Sequence, residues 1–210
     1  MIGDPRLWMA LSIAGFLCPE ALSEAREQDR SHSLLVELCD TTGLEVSILH
    51  AARDEASDIF AKVAAGVRWE ESCELLPSTP QSARIYVVSR IPEAIATRYY
   101  QNRGQTNIMG FALPSPEMDR AGVIYVGRQT VETVASKSKQ ISLTEALLAR
   151  ALGRVFAHEL AHRLLGPGHT KRGILKDHLD QRDLIGRDND GLFFSPDQIR
   201  SLRERIEGHP

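Results

Sequence analysis

Residues 158–169 read HELAHRLLGPGH, and this stretch is the most informative part of the 210-residue chain. His158 and His162 stand four positions apart, so on an α-helix both imidazoles leave the same face, with Glu159 beside them. Two histidines at this spacing can share one Zn²⁺. Glu159 is then placed to take the proton from a water that the metal activates. The motif therefore predicts a zinc site on a helix.

The residues before the motif predict the helix independently, because apolar side chains recur there with helical period. They are Leu143, Leu147, Leu148, Ala151, Leu152, Val155, Phe156 and Leu160. Ser142 and Glu145 have the spacing of a capping box at the start. Gly166 followed by Pro167 ends the pattern. We therefore predict a helix from about Leu143 to Leu165.

A third metal ligand is expected just beyond this helix. If the chain turns back there, His169 approaches the metal and completes a set of three neutral imidazoles. Three ligands leave a fourth position open, as in catalytic zinc sites. Asp177, His178 and Asp180 follow closely and are rival third ligands. A chance match to HExxH, without any metal, is the alternative.

The segment HELAHRLLGPGHTKRGIL, residues 158–175, resembles the zinc-binding segment of metzincin-type metallopeptidases, which reads HExxHxxGxxH followed by a turn with methionine. The chain departs from this pattern twice. Three residues, 163–165, separate His162 from the next glycine where the family has two, so His169 falls one position later. Leu175 stands where a nearby methionine turn would have Met. In the family that methionine packs beneath the metal, and leucine fills a similar volume.

More of the chain, most of residues 33–205, resembles a group of uncharacterised bacterial secreted proteins that are predicted to be metzincin-like zinc peptidases. The matching segments are VRWEESC (67–73), GFALP (110–114), the helix with its motif, and LFFSPDQIRSLR (192–203). The resemblance implies an α+β fold, with a single metzincin-like zinc-peptidase domain whose mixed sheet accompanies a long active-site helix carrying HExxH. It also implies that an edge strand near Ile108–Leu113 borders the cleft and holds an extended peptide by strand addition.

Alternating apolar residues and turn residues predict a sheet with helices on one side. Strands are predicted over 33–39, 44–49, 67–70, 83–89, 108–114 and 122–127. Helices are predicted over 53–65, 91–100 and 130–135, and another begins at Ser195. Residues 77–80 and 102–107 are predicted loops.

Composition is that of a globular protein of one domain, with 42% hydrophobic and 25% charged residues. The formal net charge of −3 provides no electrostatic footprint for nucleic acid, so no nucleic-acid partner is expected. The two cysteines at 39 and 73 are predicted to form a disulfide, which is typical of proteins outside the cytosol. Two unpaired buried thiols are the alternative.

Residues 1–25 have the features of a signal peptide. An arginine precedes the apolar run Leu7–Cys18, and the small residues that follow suit cleavage after Ser23 or Ala25. The run is too short to span a bilayer, so no stable membrane insertion is expected. An amphipathic first helix is the alternative. We predict that residues 26–210 form the mature domain of a secreted or periplasmic bacterial protein.

The predicted function is that of a secreted zinc peptidase acting on peptides or proteins. Zn²⁺ on His158, His162 and His169 would activate water and the scissile carbonyl, and Glu159 would carry the proton to the leaving amine. His178 is a candidate for stabilising the oxyanion. Two alternatives stay open: a catalytically degenerate metal-binding or interaction protein on the same fold, and a zinc amidase acting on cell-wall peptides. Nothing in the sequence predicts the oligomeric state.

Overall fold

The computed structural model describes residues 33–71, 73, 79, 81–95, 108–113, 122–137, 142–188 and 191–206. Three predictions lie outside these residues: the signal peptide at 1–25, the polar loop at 102–107 and most of the loop at 77–80. Within the helix predicted over 91–100, residues 93–95 are helical and the second half lies outside the described residues.

The described strands form one mixed sheet with an antiparallel strand at one edge. They are β1 (Ser33–Asp40), β2 (Gly66–Glu70), β3 (Ser82–Val88), β4 (Gly110–Ala112) and β5 (Gly122–Gly127). Their order across the sheet is β2-β1-β3-β5-β4. The first four in this order run parallel, and β4 pairs antiparallel to β5. The strands predicted near 33, 67, 83 and 122 are confirmed, and the segment at 108–114 contributes only the short β4.

The described helices are α1 (Val46–Ala61), α2 (Arg128–Ala135), α3 (Glu145–Leu165), α4 (Gln181–Ile185) and α5 (Pro196–Ile206). The predicted active-site helix is confirmed as α3, but its N-cap is Thr144 and not Ser142. The Thr144 hydroxyl oxygen accepts from the backbone amide of Leu147 at 3.3 Å. The last helix is confirmed as well, with Ser195 and Gln198 each accepting a hydrogen bond from the other's backbone amide.

The strand predicted over 44–49 is wrong, because α1 begins at Val46. The helix predicted from Arg53 therefore begins nearly two turns earlier in the structure. Asp40 explains the difference. Its carboxylate accepts hydrogen bonds from the backbone amides of Thr42 and Leu44 at 2.8 and 2.7 Å. The Asp40 side chain therefore closes a tight turn directly after β1. The apolar residues that follow are buried at helical spacing. They are Ile48, Ala52, Ala56, Ile59 and Phe60.

Helix α3 is fixed in the core by close contact with α1. At Gly153 an added Cβ would lie 2.7 Å from the Cβ of Glu55, so the helices approach closely only because this residue is glycine. The neighbouring Arg154 is buried and donates to the Glu55 carboxylate and to the carbonyl of Asp183, both at 2.7 Å. A buried guanidinium is tolerated only with such partners. These contacts hold α3 against α1 and α4.

The sheet face toward the helices is apolar and buried. Alternate residues of β1, β3 and β5 form one cluster with residues of α1 and α3. The strand residues are Leu34, Val36, Leu38, Ala83, Ile85, Val87, Ile124 and Val126. Trp69 on β2 packs against Phe156 on α3, with ring centroids 6.3 Å apart. The second half of α3 also contacts β4 and β5, where the side chains of Glu159 and Arg163 lie against Gly110 and Gly122.

Cys39 on β1 and Cys73 form a disulfide, with Cα atoms 5.6 Å apart. The predicted disulfide is therefore confirmed, and the alternative of two free thiols is wrong. Disulfides form and persist in oxidising compartments, so this one fits a location outside the reducing cytosol. Within the described part of the chain, no helix is both long and apolar enough to cross a membrane.

Candidate metal centre

The C-terminal half of α3 carries three of the predicted site residues. His158 and Glu159 are buried, with exposed fractions of 8% and 5%, and His162 is partly exposed. Because the two histidines are four residues apart on a helix, their rings lie side by side, with centroids 4.6 Å apart. The predicted common face of the helix is confirmed.

The chain turns back after α3 and brings the third histidine to the other two. Gly166 ends the helix with a φ of +93°, which favours glycine. The Nε2 atom of His169 lies 3.1 Å from Nε2 of His162, which lies 3.0 Å from Nε2 of His158. The ligand atoms of all three lie within 4.8 Å of one another, so these histidines could hold a metal ion. The additional residue in the spacing does not keep His169 away.

The outer ring nitrogens of the two helical histidines are hydrogen-bonded to the backbone. Nδ1 of His158 donates to the carbonyl oxygen of Ile174 at 2.6 Å, and Nδ1 of His162 donates to that of Gly166 at 3.0 Å. A carbonyl oxygen can only accept, so each Nδ1 carries a proton. In a neutral imidazole the other nitrogen, Nε2, then presents a lone pair. The sequence does not indicate either carbonyl, because any residue type can supply one.

The electrostatics keep these rings neutral. Burial, reinforced by the nearby His162, lowers the pKa of His158 to about 3, and burial also lowers the pKa of His162. Two neutral rings that are protonated on Nδ1 have no hydrogen to place between their Nε2 atoms. Their lone pairs therefore meet at 3.0 Å and repel each other unless a cation lies between them.

The geometry of the three nitrogens is compatible with a transition-metal ion. Tetrahedral zinc with Zn–N bonds of about 2.0–2.1 Å separates its ligand nitrogens by about 3.3 Å. The two shorter separations here, 3.0 and 3.1 Å, are close to that value. Imidazole ligands suit zinc and similar transition metals, whereas Mg²⁺ and Ca²⁺ take oxygen ligands. Three protein ligands also leave a coordination position for water or substrate.

The Glu159 carboxyl group lies against the edge strand β4. Burial raises its pKa to about 8, and a hydrogen bond from the backbone amide of Ala112 partly opposes this shift. A Cβ at Gly110 would lie 2.6 Å from Cγ and 2.7 Å from Cδ of Glu159, so only glycine leaves room for the side chain. A cation held by the adjacent histidines would favour the ionised carboxylate.

The rival ligands lie outside the cluster. Asp177 contacts the outer nitrogen of His169, and the exposed His178 contacts Asp177 at 3.3 Å. Asp180 caps α4. Within the described ranges, the three histidines are the group whose ligand atoms converge. Leu175 is buried, with 4% of its surface exposed.

No protein-family model and no curated protein matches this chain. Its function is therefore inferred from the residues of the site and from the resemblance of its motifs.

Proposed function

We propose that the chain is a zinc peptidase with a metzincin-like domain that hydrolyses peptide bonds outside the cytosol. The observation that carries the proposal is the convergence of three histidine ligand atoms at the end of the helix that also carries the buried Glu159. Three nitrogen ligands and an adjacent general base are the parts that catalytic zinc hydrolases share. The antiparallel edge strand and the long helix agree with the metzincin resemblance, and the disulfide supports an exported protein.

Glu159 acts as the general base and acid. When bound, zinc supplies the Lewis acidity that activates a water molecule and polarises the scissile carbonyl. Glu159 accepts the proton from that water and returns it to the leaving amine. Gly110 and the Ala112 amide restrict the side chain to one position, which keeps the proton acceptor in place.

Strand β4 borders the proposed substrate cleft. Met109 accepts from the Gly127 amide and Leu113 donates to the Val123 carbonyl, so odd-numbered residues of this segment pair with β5. The backbone groups of Gly110 and Ala112 therefore face away from β5, and β4 is the last strand of the described sheet. An extended peptide can add to that edge. Because Glu159 takes the Ala112 amide, pairing with the peptide would use the remaining outward groups.

The proposal is tested by digestion of unfolded casein with protein purified from zinc-supplemented medium. We expect cleavage that a zinc chelator abolishes and stoichiometric zinc restores. A metal-binding interaction protein would retain zinc and leave casein intact, and an amidase would cleave only cell-wall peptides. Either outcome would contradict the peptidase assignment.

Replacing Gly110 with alanine is expected to reduce turnover without removing the metal. The new methyl group would displace the Glu159 carboxyl, and misplacing a catalytic group by about 1 Å can cost about 10²-fold in rate. Casein cleavage and zinc content would be measured together. The control is Gly66→Ala on β2, where an added Cβ would lie 3.4 Å from its nearest neighbour, the Cβ of Ser33. Unchanged turnover of the Gly110→Ala protein would contradict the proposed role of Glu159.

A further inference from the structure

The three histidines differ in what holds their outer nitrogens. Backbone carbonyls, those of Ile174 and Gly166, hold the two histidines on α3. Close to His169 there is a side chain: its Nδ1 lies 3.3 Å from Oδ1 of Asp177, within ion-pair distance. A carboxylate is a stronger acceptor than a carbonyl. Asp177 is therefore the one of these three partners that a substitution can remove.

His169 is also the most exposed of the three histidines. Its side chain is 27% exposed, whereas His158 is buried in α3. An exposed imidazole on a loop can rotate about its side-chain bonds, and each rotation would turn Nε2 away from the other ligand atoms. A hydrogen bond at Nδ1 opposes this rotation and selects the tautomer that coordinates through Nε2.

The backbone holds Asp177 opposite His169 by closing a loop. The Thr170 amide donates to the Leu175 carbonyl at 2.8 Å, and the Asp177 amide donates to the Thr170 carbonyl at 3.3 Å. Gly173, at a φ of +85°, allows the turn between them. These bonds join Thr170, the residue after His169, to Asp177. The loop therefore sets the distance between the His169 ring and the Asp177 carboxylate.

The far side of the loop is anchored to α4. Lys176 donates to Asp180 at 3.2 Å and to Asp183 at 2.5 Å, and the Asp180 carboxylate caps the helix. The second oxygen of Asp177, Oδ2, lies 3.3 Å from Nε2 of His178. The carboxylate thus lies between two imidazoles, with one oxygen for each.

We propose that Asp177 is a positioning residue for the third metal ligand: its Oδ1 accepts the Nδ1 proton of His169 and holds Nε2 toward the metal. Asp177 itself does not coordinate. This inference rests on the metal site of the proposed function. Partners of this kind typically contribute 10–100-fold to metal affinity, so Asp177→Ala is expected to weaken zinc binding by about that factor. Asp177→Asn, which keeps a weaker neutral acceptor, should fall between that variant and the unaltered protein.

The test is a zinc titration of the metal-free full chain against a chromophoric chelator, together with the absorption spectrum of the Co²⁺ form. His178→Ala is the matched control, because it removes the other contact of the same carboxylate and should leave zinc affinity unchanged. Melting of the metal-free proteins reports on folding, and Asp177→Asn preserves the shape of the side chain if the alanine variant unfolds. We expect weaker zinc binding by both Asp177 variants with the same metal-free melting temperature.

Two results would overturn the inference. Equal zinc affinity of the unaltered and Asp177→Ala proteins, each folded, would mean that the Asp177 side chain does not position His169. A Co²⁺ spectrum showing that Asp177→Ala loses an oxygen ligand would make Asp177 a direct ligand. Failure of the unaltered protein to bind zinc would instead reject the proposed function, so the two failures are distinguishable.

Discussion

Glu159→Gln is expected to lower kcat/KM for an unfolded protein substrate by about 10²–10⁴-fold, the range that general acid–base catalysis contributes. Glutamine is nearly isosteric with glutamate, so the variant should still fit against Gly110 on β4. The amide cannot accept and return a proton in the way a carboxylate does. Because Glu159 is not among the converging ligand atoms, zinc affinity should be unchanged.

The measurement is steady-state cleavage of a quenched fluorescent peptide, with zinc content determined on the same samples. Glu145→Gln is a matched control, since Glu145 lies exposed in the first turn of the same helix. It should cleave like the unaltered chain. A Glu159→Gln protein that retains full activity would remove the general base from the account, whatever metal it contains.

His162→Ala is expected to lower zinc affinity by more than about 100-fold, because loss of a ligand should exceed the 10–100-fold effect of losing a ligand's partner. This ring lies between the other two, with Nε2 at 3.0 and 3.1 Å from theirs. It is also more exposed than His158, so its removal leaves a smaller void in the core.

Competition with a chelator measures this loss directly, and thermal unfolding gives an independent readout. A ligand that binds only the folded state raises its stability, so zinc should raise the melting temperature of the unaltered protein and not that of the variant. His50→Ala is the control, because His50 is exposed on α1 and contacts Glu71 away from the cluster. Equal zinc-induced stabilisation of His162→Ala would place the metal elsewhere.

The parts of the site that the sequence predicts are those set by local geometry. Helical period alone aligns His158 with His162, and the glycine after the helix indicates that the chain turns back toward them. The approach of His169 is known only from the structure, because this residue falls one position later than in the metzincin pattern and three rival ligands follow it. The structure shows that one of those rivals, Asp177, contacts the histidine from outside the cluster.

The parts that the sequence does not predict depend on distant residues or on the backbone. Gly110 and Glu159 are 49 positions apart, and no local pattern indicates that a glycine on β4 makes room for a carboxyl on α3. The apolar alternation in LEVSIL, residues 44–49, is too short to distinguish the period of a strand from that of a helix. The sequence therefore does not predict the start of α1. The order of the strands follows from pairing between residues far apart in the chain.

The central claim, that three imidazoles hold one zinc ion, is tested most directly by an anomalous difference map at the zinc edge from crystals grown with one equivalent of zinc. We predict a single site per chain, about 2.0–2.1 Å from Nε2 of His158, His162 and His169. A folded protein whose zinc lies elsewhere, or whose three Nε2 atoms share no anomalous peak, would contradict the claim.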